Sequence, residues 1–348
     1  MLNSREEAVA ATESRQGIRF DPAKPLQVGG QAVIEGVMMR APGMIATAVR
    51  RSNGDVVIRR RPYRSLAEKI GLLRLPVLRG AVGLIEMMFV GIETLNFSAE
   101  VAMHDIQEKE RSENGSAAVP GQKPVSNVKL AVTVGVALLV GLGIFFVTPL
   151  FIATRLFNVE QNAFGFNVVA GMIRLALLLG YLGAISLLKD VKRLFQYHGG
   201  EHKAVMTFES GSDLTTVCAK SSSRFHPRCG TSFILIVMIA AVVLFAVLDS
   251  VLILWLGRIS LPVRLATHLP LVPLVGGLSY EFIRWSSKRT GTWFGKILVA
   301  PGLWLQRITV KEPDPSQLEI GLIALRSALG MEVGVPVRYI DHPAELTR

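Results

Sequence analysis

The residues best placed to do chemistry are gathered between Tyr197 and Cys229. Tyr197-His198-Gly199-Gly200-Glu201-His202 contains His-x-x-Glu-His, the inverse of the zincin order. On a helix, His198 and His202 stand four apart and project from one face, so two imidazoles can bind one metal with Glu201 beside them. A bound metal brings the pKa of water near neutrality, and a neighbouring carboxylate can then take its proton. Against a helix stands the pair Gly199-Gly200, since each interior glycine costs about 1 kcal/mol relative to alanine; the pair suggests a turn or a helix start. Further on, His226-Pro227-Arg228-Cys229-Gly230 sets His and Cys at i, i+3 in a tight turn, the shape of one half of a zinc site. His198, His202, His226 and Cys229 thus form a candidate four-ligand zinc set, with Glu201 the candidate general base. With all four bound the sphere is closed and structural, whereas three ligands and a water make a catalytic site; the spacing does not choose. Glu35, Glu209 and Glu281 are further carboxylates for an open site, although each reads more simply as a solvated charge. The competing reading is a basic, hydrogen-bonded loop whose histidines cap helices or meet lipid phosphate.

Such a cluster needs elements to hold it. Half of the 348 residues are hydrophobic, and the excess is concentrated in four stretches: Val128 to Ile152, Val168 to Leu188, Ser232 to Leu256, and Leu261 to about Tyr280. Each is close to the ~20 residues that a helix needs to cross the hydrocarbon core. A mainly α polytopic membrane protein with about four transmembrane helices is expected, with the lipid bilayer as its first partner. The net charge of +11 then reads as topology, because Lys and Arg collect in cytoplasmic loops. Lys189, Lys192, Arg193, Lys203, Lys220, Arg224 and Arg228 lie between the second and third spans, whereas the short connectors hold Arg155 in one and Arg258 and Arg264 in the other. Both basic chain ends are expected on that same side, which an even number of spans allows. No nucleic-acid-reading motif accompanies the charge, so nucleic acid is not expected as a partner. The first twenty residues lack an apolar run, so no cleavable signal peptide is expected. Cys218 and Cys229, the two cysteines, fall in the cytoplasmic loop where thiols stay reduced.

Residues 1–24 read as a disordered tail. Residues 25–106 read as a cytoplasmic β-element plus an interfacial helix. Gln31 to Met39, Met44 to Arg51 and Val56 to Arg61 are expected strands, the last two joined by a hairpin at Asn53-Gly54. Leu78 to Phe97 is apolar enough for a fifth span, but Arg79, Glu86 and Glu93 favour a helix lying on the membrane. Residues 107–127 read as a linker, 128–284 as the membrane domain with the metal-site loop 189–231, and 285–348 as a cytoplasmic and interfacial end. Arg174 in the second span either snorkels or lines a polar path. Pro262, Pro270 and Pro273 predict a kinked fourth span. Pro315 to Leu329 reads as an ordinary solvated helix with a capped start.

Four runs carry a resemblance: Gly29-Gly-Gln-Ala-Val-Ile-Glu-Gly-Val-Met-Met-Arg40, Tyr197-His-Gly-Gly-Glu-His-Lys203, His226-Pro-Arg-Cys-Gly-Thr-Ser-Phe233 and Glu312-Pro-Asp-Pro-Ser-Gln-Leu-Glu319. Together they resemble the signatures of the YqhQ-type bacterial family, a domain of unknown function described as predicted metal-dependent membrane enzymes. The resemblance implies the bacterial cytoplasmic membrane and carries over Glu35, His198, Glu201, His202, His226 and Cys229; Gly200 stands where relatives are expected to carry Ala. It brings no substrate. Three functions follow: a zinc-dependent hydrolase or peptidase at the cytoplasmic membrane face, a non-catalytic protein whose structural zinc helps dock another membrane protein, or a small transporter.

Overall fold

The computed structural model describes residues 28–114, 127–157, 162–287, 289 and 291–347. The tail read from residues 1–24, and residues 115–126 of the linker, lie outside them. The chain is mainly helical, and four of its helices are long and apolar enough to cross a membrane: Val132–Leu156, Ala163–Ile185, Gly230–Leu256 and Leu261–Ser286. They are predominantly apolar, and Leu139, Leu254 and Trp255 stand exposed.

The first of these helices is α2 (Asn127–Leu142) and α3 (Thr148–Leu156), joined by a π turn at Gly143–Val147. Arg174 of α4 (Ala163–Ile185) donates from Nε to the Phe145 carbonyl in that turn at 2.8 Å. α5 (Lys189–Glu209) and the short α6 (Thr216–Ser221) lead to α7 (Gly230–Leu256). The fourth helix, where prolines predict a kink, changes its winding instead of ending: α8 (Leu261–His268), a 3-10 turn at Leu269–Leu271 and α9 (Val272–Ser287) follow one another with right-handed helical dihedrals kept at Leu269 and Val272. Arg264, which the sequence pattern assigns to a connector, is instead fully buried in α8.

The amino-terminal element is larger than three strands. β1 (Gly29–Val33), β2 (Gly36–Ala41), β3 (Met44–Arg50) and β4 (Val56–Pro62) form an antiparallel meander, to which β5 (Arg338–Tyr339) adds in parallel. The expected strand Gln31 to Met39 is therefore two strands, divided by a tight turn at Ile34-Glu35, where Glu35 takes φ 52°. The turn at Asn53-Gly54 joins β3 and β4 as the sequence predicts.

Both faces of the sheet are covered. The preceding α1 (Leu78–Asn114) packs Val90, Phe97 and Val101 against Val33, Met38, Ile45 and Val57. It is one continuous helix, running past residue 107 into the segment read as a linker. Its Glu93 pairs with Arg59 and Arg61 of β4, while Glu86 accepts from Ser65 Oγ and Tyr63 Oη. On the other face lie α5 and α11 (Pro315–Ala328), against Val37, Met39, Ala46 and Ile58. α11 follows α10 (Trp293–Thr309) and corrects the expectation of a solvated helix. It starts in a capping box between Asp314 and Gln317, but Ile320, Gly321, Leu322, Ile323, Ala324 and Leu325 are all buried. A helix apolar on every side is filled in on every side.

The glycine pair also differs from expectation, since Gly199 and Gly200 lie inside α5. A Cβ on Gly199 would meet the Lys311 carbonyl oxygen at 2.0 Å, and one on Gly200 would meet that of Gln317 at 3.0 Å. The pair lets two backbones touch, and that packing offsets its poor helix propensity. Gly199→Ala should therefore cost about 3 kcal/mol or more through overpacking. Gly200→Ala needs only a small adjustment and recovers about 1 kcal/mol of propensity, so its net cost should lie near zero. Thermal unfolding of the two variants in one detergent measures the contrast.

Candidate metal centre

α5 carries His198, Glu201 and His202 on the face turned toward the start of α7. Cys229 is the N-cap residue of α7, held by the turn in which its N–H bonds the His226 carbonyl. One ligand atom from each of His198, His202 and Cys229 lies within 4.8 Å of the others. Cys229 Sγ is 3.4 Å from His198 Nε2, and the two imidazole rings are 4.4 Å apart between centroids. Glu201 closes the group, with Oε2 at 3.6 Å from His202 Nε2 and 3.9 Å from His198 Nε2. Its carboxylate also accepts from the Gly30 N–H of β1.

The hydrogen bonds fix which imidazole nitrogens are free. His198 Nδ1 lies 3.0 Å from the Thr309 carbonyl and His202 Nδ1 2.6 Å from the Arg224 carbonyl. A carbonyl only accepts, so both Nδ1 atoms carry the hydrogen and both Nε2 atoms offer lone pairs. Metal-bound histidines have this same outer arrangement. Burial pushes the His202 ring below the usual imidazole range, against the pull of Cys229, and so favours the neutral form that ligates. Burial pushes the Glu201 carboxyl up, with His198, His226 and the Gly30 N–H pulling the other way. Two Nε2 lone pairs, a carboxylate oxygen and a sulfur thus face one point almost out of water. Acceptors gathered in this way fit a bound cation.

His226 is near but turned away. Its ring is 5.7 Å from that of His202, Nδ1 accepts from the Arg228 N–H at 3.3 Å, and Nε2 donates to Glu209 Oε2 at 3.3 Å. The structure thus brings together three of the four ligand candidates plus Glu201. The other carboxylates are held by arginines: Glu209 by Arg228, Glu281 by Arg79 and Glu35 by Arg193. Glu35 also accepts from Tyr197 Oη at 3.1 Å, which ties the β1–β2 turn to α5. Burial and that carboxylate push the Tyr197 phenol well above its ordinary range. Cys218 is partly exposed in α6, away from the group. A second gathering, His104, Asp105 and Glu108, already has its cation, since Arg51 bonds Asp105 at 2.7 Å and Glu108 at 2.5 Å.

Some supports were not singled out from sequence. Gln306 of α10 bonds both the N–H and the carbonyl of His226, and also Ser232 Oγ, which pins the turn before Cys229. Lys203, buried on α5, donates to the Lys220 and Ser222 carbonyls and pairs with Glu312 at 2.8 Å. Gly30 lies in the run Gly29 to Arg40, and a Cβ there would strike Glu201 Cγ at 2.8 Å. The glycine doublet was the available signal.

Residues 75–331 match the family described as Protein of unknown function (DUF1385). The chain belongs to the DUF1385 family. It is also similar to a Bacillus subtilis (strain 168) relative, "Uncharacterized protein YqhQ", with 32% identity over 312 residues, 88% of this chain and 94% of the relative. No solved structure matches it. The matched part of this DUF1385 member holds the whole cluster from His198 to Cys229.

Lys203→Met would leave two carbonyls at the end of α6 without their donor, worth about 1–3 kcal/mol. Glu312 is largely exposed and is resolvated, so the loss should stay local. Backbone hydrogen exchange should accelerate across residues 216–229 and remain unchanged in the sheet.

Proposed function

We propose that this protein is a membrane-bound, metal-dependent hydrolase whose centre, at the cytoplasmic face, is held by His198, His202 and Cys229, with Glu201 as the general base. The convergence of the two Nε2 lone pairs on Cys229 Sγ, with both Nδ1 hydrogens tied to carbonyls, carries this reading. Two imidazoles and one sulfur suit zinc, with three protein ligands as in catalytic sites. Bound there, the ion would supply Lewis acidity to a carbonyl or to water. The chain does the rest: Glu201 is positioned to hold a proton, and the Gly30 N–H orients its carboxylate. His198 is the more open ligand, 18% exposed against 2% for His202, so substrate approaches from its side.

The charge pattern supports four crossings of the bacterial cytoplasmic membrane, with the sheet and both chain ends inside. A peptide or amide bond near the membrane surface is the substrate class that suits this location. The second reading, a closed structural site that supports docking of another membrane protein, draws on Glu201 itself, close enough to both Nε2 atoms to become a fourth ligand.

Metal analysis of purified protein should find one zinc per chain, lost in Cys229→Ala and His202→Ala and kept in His226→Ala. Cobalt-loaded protein separates the readings. Azide should perturb its visible spectrum, and Glu201→Gln should retain cobalt while abolishing hydrolysis of unfolded membrane-peptide substrates. A spectrum indifferent to azide, with metal lost in Glu201→Gln, would establish the structural role instead. Wild-type protein without metal would sink both.

A further inference from the structure

The helical half holds a second polar group, none of whose members belongs to the centre at the sheet. Asp249 of α7 and both Arg264 and His268 of α8 have no exposed side-chain surface, and Asn167 of α4 is buried beside them. Asp249 accepts three hydrogen bonds: from Asn167 Nδ2 at 2.8 Å, from Arg264 Nε at 3.0 Å and from His268 Nε2 at 2.9 Å. The Arg264 guanidinium lies 3.6 Å from the Phe166 ring centroid, and Phe245 stacks on His268 with centroids 4.2 Å apart. Ionisable groups among membrane-length helices are costly, and they mark proton and substrate paths. Along α7 the group lies roughly 30 Å from Cys229, at about 1.5 Å per residue.

Two observations indicate what this group binds. The first is the state of the ring. Asp249, bonded to Arg264 and Asn167, serves as acceptor, so His268 Nε2 carries the hydrogen and Nδ1 a lone pair. Among the described residues that Nδ1 has no hydrogen-bond partner. The second is position: His268 is the last residue of α8, directly before Leu269–Leu271, where the fourth helix passes from α to 3-10 geometry. A 3-10 stretch inside a helix often marks a functional hinge.

We propose that His268 is a reversible proton-binding site of the membrane domain, backed by Asp249 and set at the hinge between α8 and α9. A proton from water adds to the Nδ1 lone pair, the Nε2–H bond to Asp249 is kept, and the neutral ring becomes an imidazolium. Among the described residues, the charges facing it are Asp249 from α7 and Arg264 from its own helix. α4 contributes uncharged Asn167 and Phe166, α3 has only the exposed Arg155, and the ionisable residues of α9 (Tyr280, Glu281 and Arg284) lie near its far end. Among the described residues no acceptor bonds Nδ1, so protonation and a shift at the 3-10 turn go together.

Nitrogen NMR of ring-labelled histidine, with the full chain in lipid nanodiscs, tests this between about pH 5 and 8. The His268 signals are assigned by their loss in His268→Gln and, independently, by their displacement when Phe245→Leu removes the stacked ring. The Nε2–H tautomer should convert to imidazolium on acidification, and Asp249→Asn should weaken proton binding by ~10-fold or more. A ring that keeps one protonation state throughout, or a midpoint unmoved by Asp249→Asn, overturns the proposal. If Asp249→Asn does not fold, the wild-type titration alone decides.

Discussion

Helix α5 meets the segment leading into α11 backbone to backbone, with the Lys311 carbonyl oxygen 2.0 Å from where a Cβ of Gly199 would stand. The contact is stitched by the Lys311 N–H, which bonds the Phe195 carbonyl at 2.9 Å, and is continued by Gly321, whose own Cβ would meet the Gly200 carbonyl at 2.8 Å. Much of the molecule depends on this closeness. It brings the end of α10 near enough for the Thr309 carbonyl to take the hydrogen of His198. It also lets α5 and α11 lie side by side on one face of the sheet, so that β1 reaches Glu201 through Gly30. A wider crossing would separate the histidines from the carbonyl and the strand that orient them.

The electrostatic arrangement follows from the same geometry. Glu35, Glu209 and Glu281 each have an arginine, whereas among the described residues Glu201 pairs with histidines. Burial alone would leave its charge costly, and apart from the Gly30 N–H its nearest partners are two Nε2 atoms with bare lone pairs. Cys229 stands at the positive end of the α7 dipole, which offsets part of this crowding of electron pairs, and a cation would offset the rest. His226 could join only by giving up Glu209 and the Arg228 N–H. Without it three candidate ligands and a carboxylate remain, a more open set than four ligands from His and Cys would make.

The parts legible in the sequence were those with a local period or a local chemical pattern. The four apolar runs gave the long helices, Asn53-Gly54 gave a hairpin, and His-x-x-Glu-His with the following His and Cys gave the neighbourhood of the centre. What stayed hidden depends on contacts between distant segments. Gly199-Gly200 reads as a helix breaker until Lys311 and Gln317 are seen against it. Glu35 lies within an apparently continuous strand, and its turn is fixed by Arg193 and Tyr197, far along the chain. Pro315 to Ala328 has the capping of a surface helix, and only a sheet on one side and α5 on the other bury it. The distinction between His226 and the other two histidines rests on Glu209 and Gln306, which no spacing rule connects to it.

The polar residues inside the helical half also bear on how those helices pair. Apolar side chains in lipid gain little from one helix neighbour over another, so packing among Phe146, Leu150, Phe166, Phe245 and Val275 fixes closeness better than register. Asp249 changes that. Its carboxylate needs Asn167 from α4 and Arg264 with His268 from α8 at the same level, and a slip of one turn, about 5.4 Å, would strand a charge in the interior. The group therefore specifies the alignment of α4, α7 and α8. Because α7 starts at Cys229, that alignment sets the height at which Cys229 meets α5. The centre at the sheet and the polar group in the helices share one rigid element, and the register chosen at one end of α7 is inherited at the other.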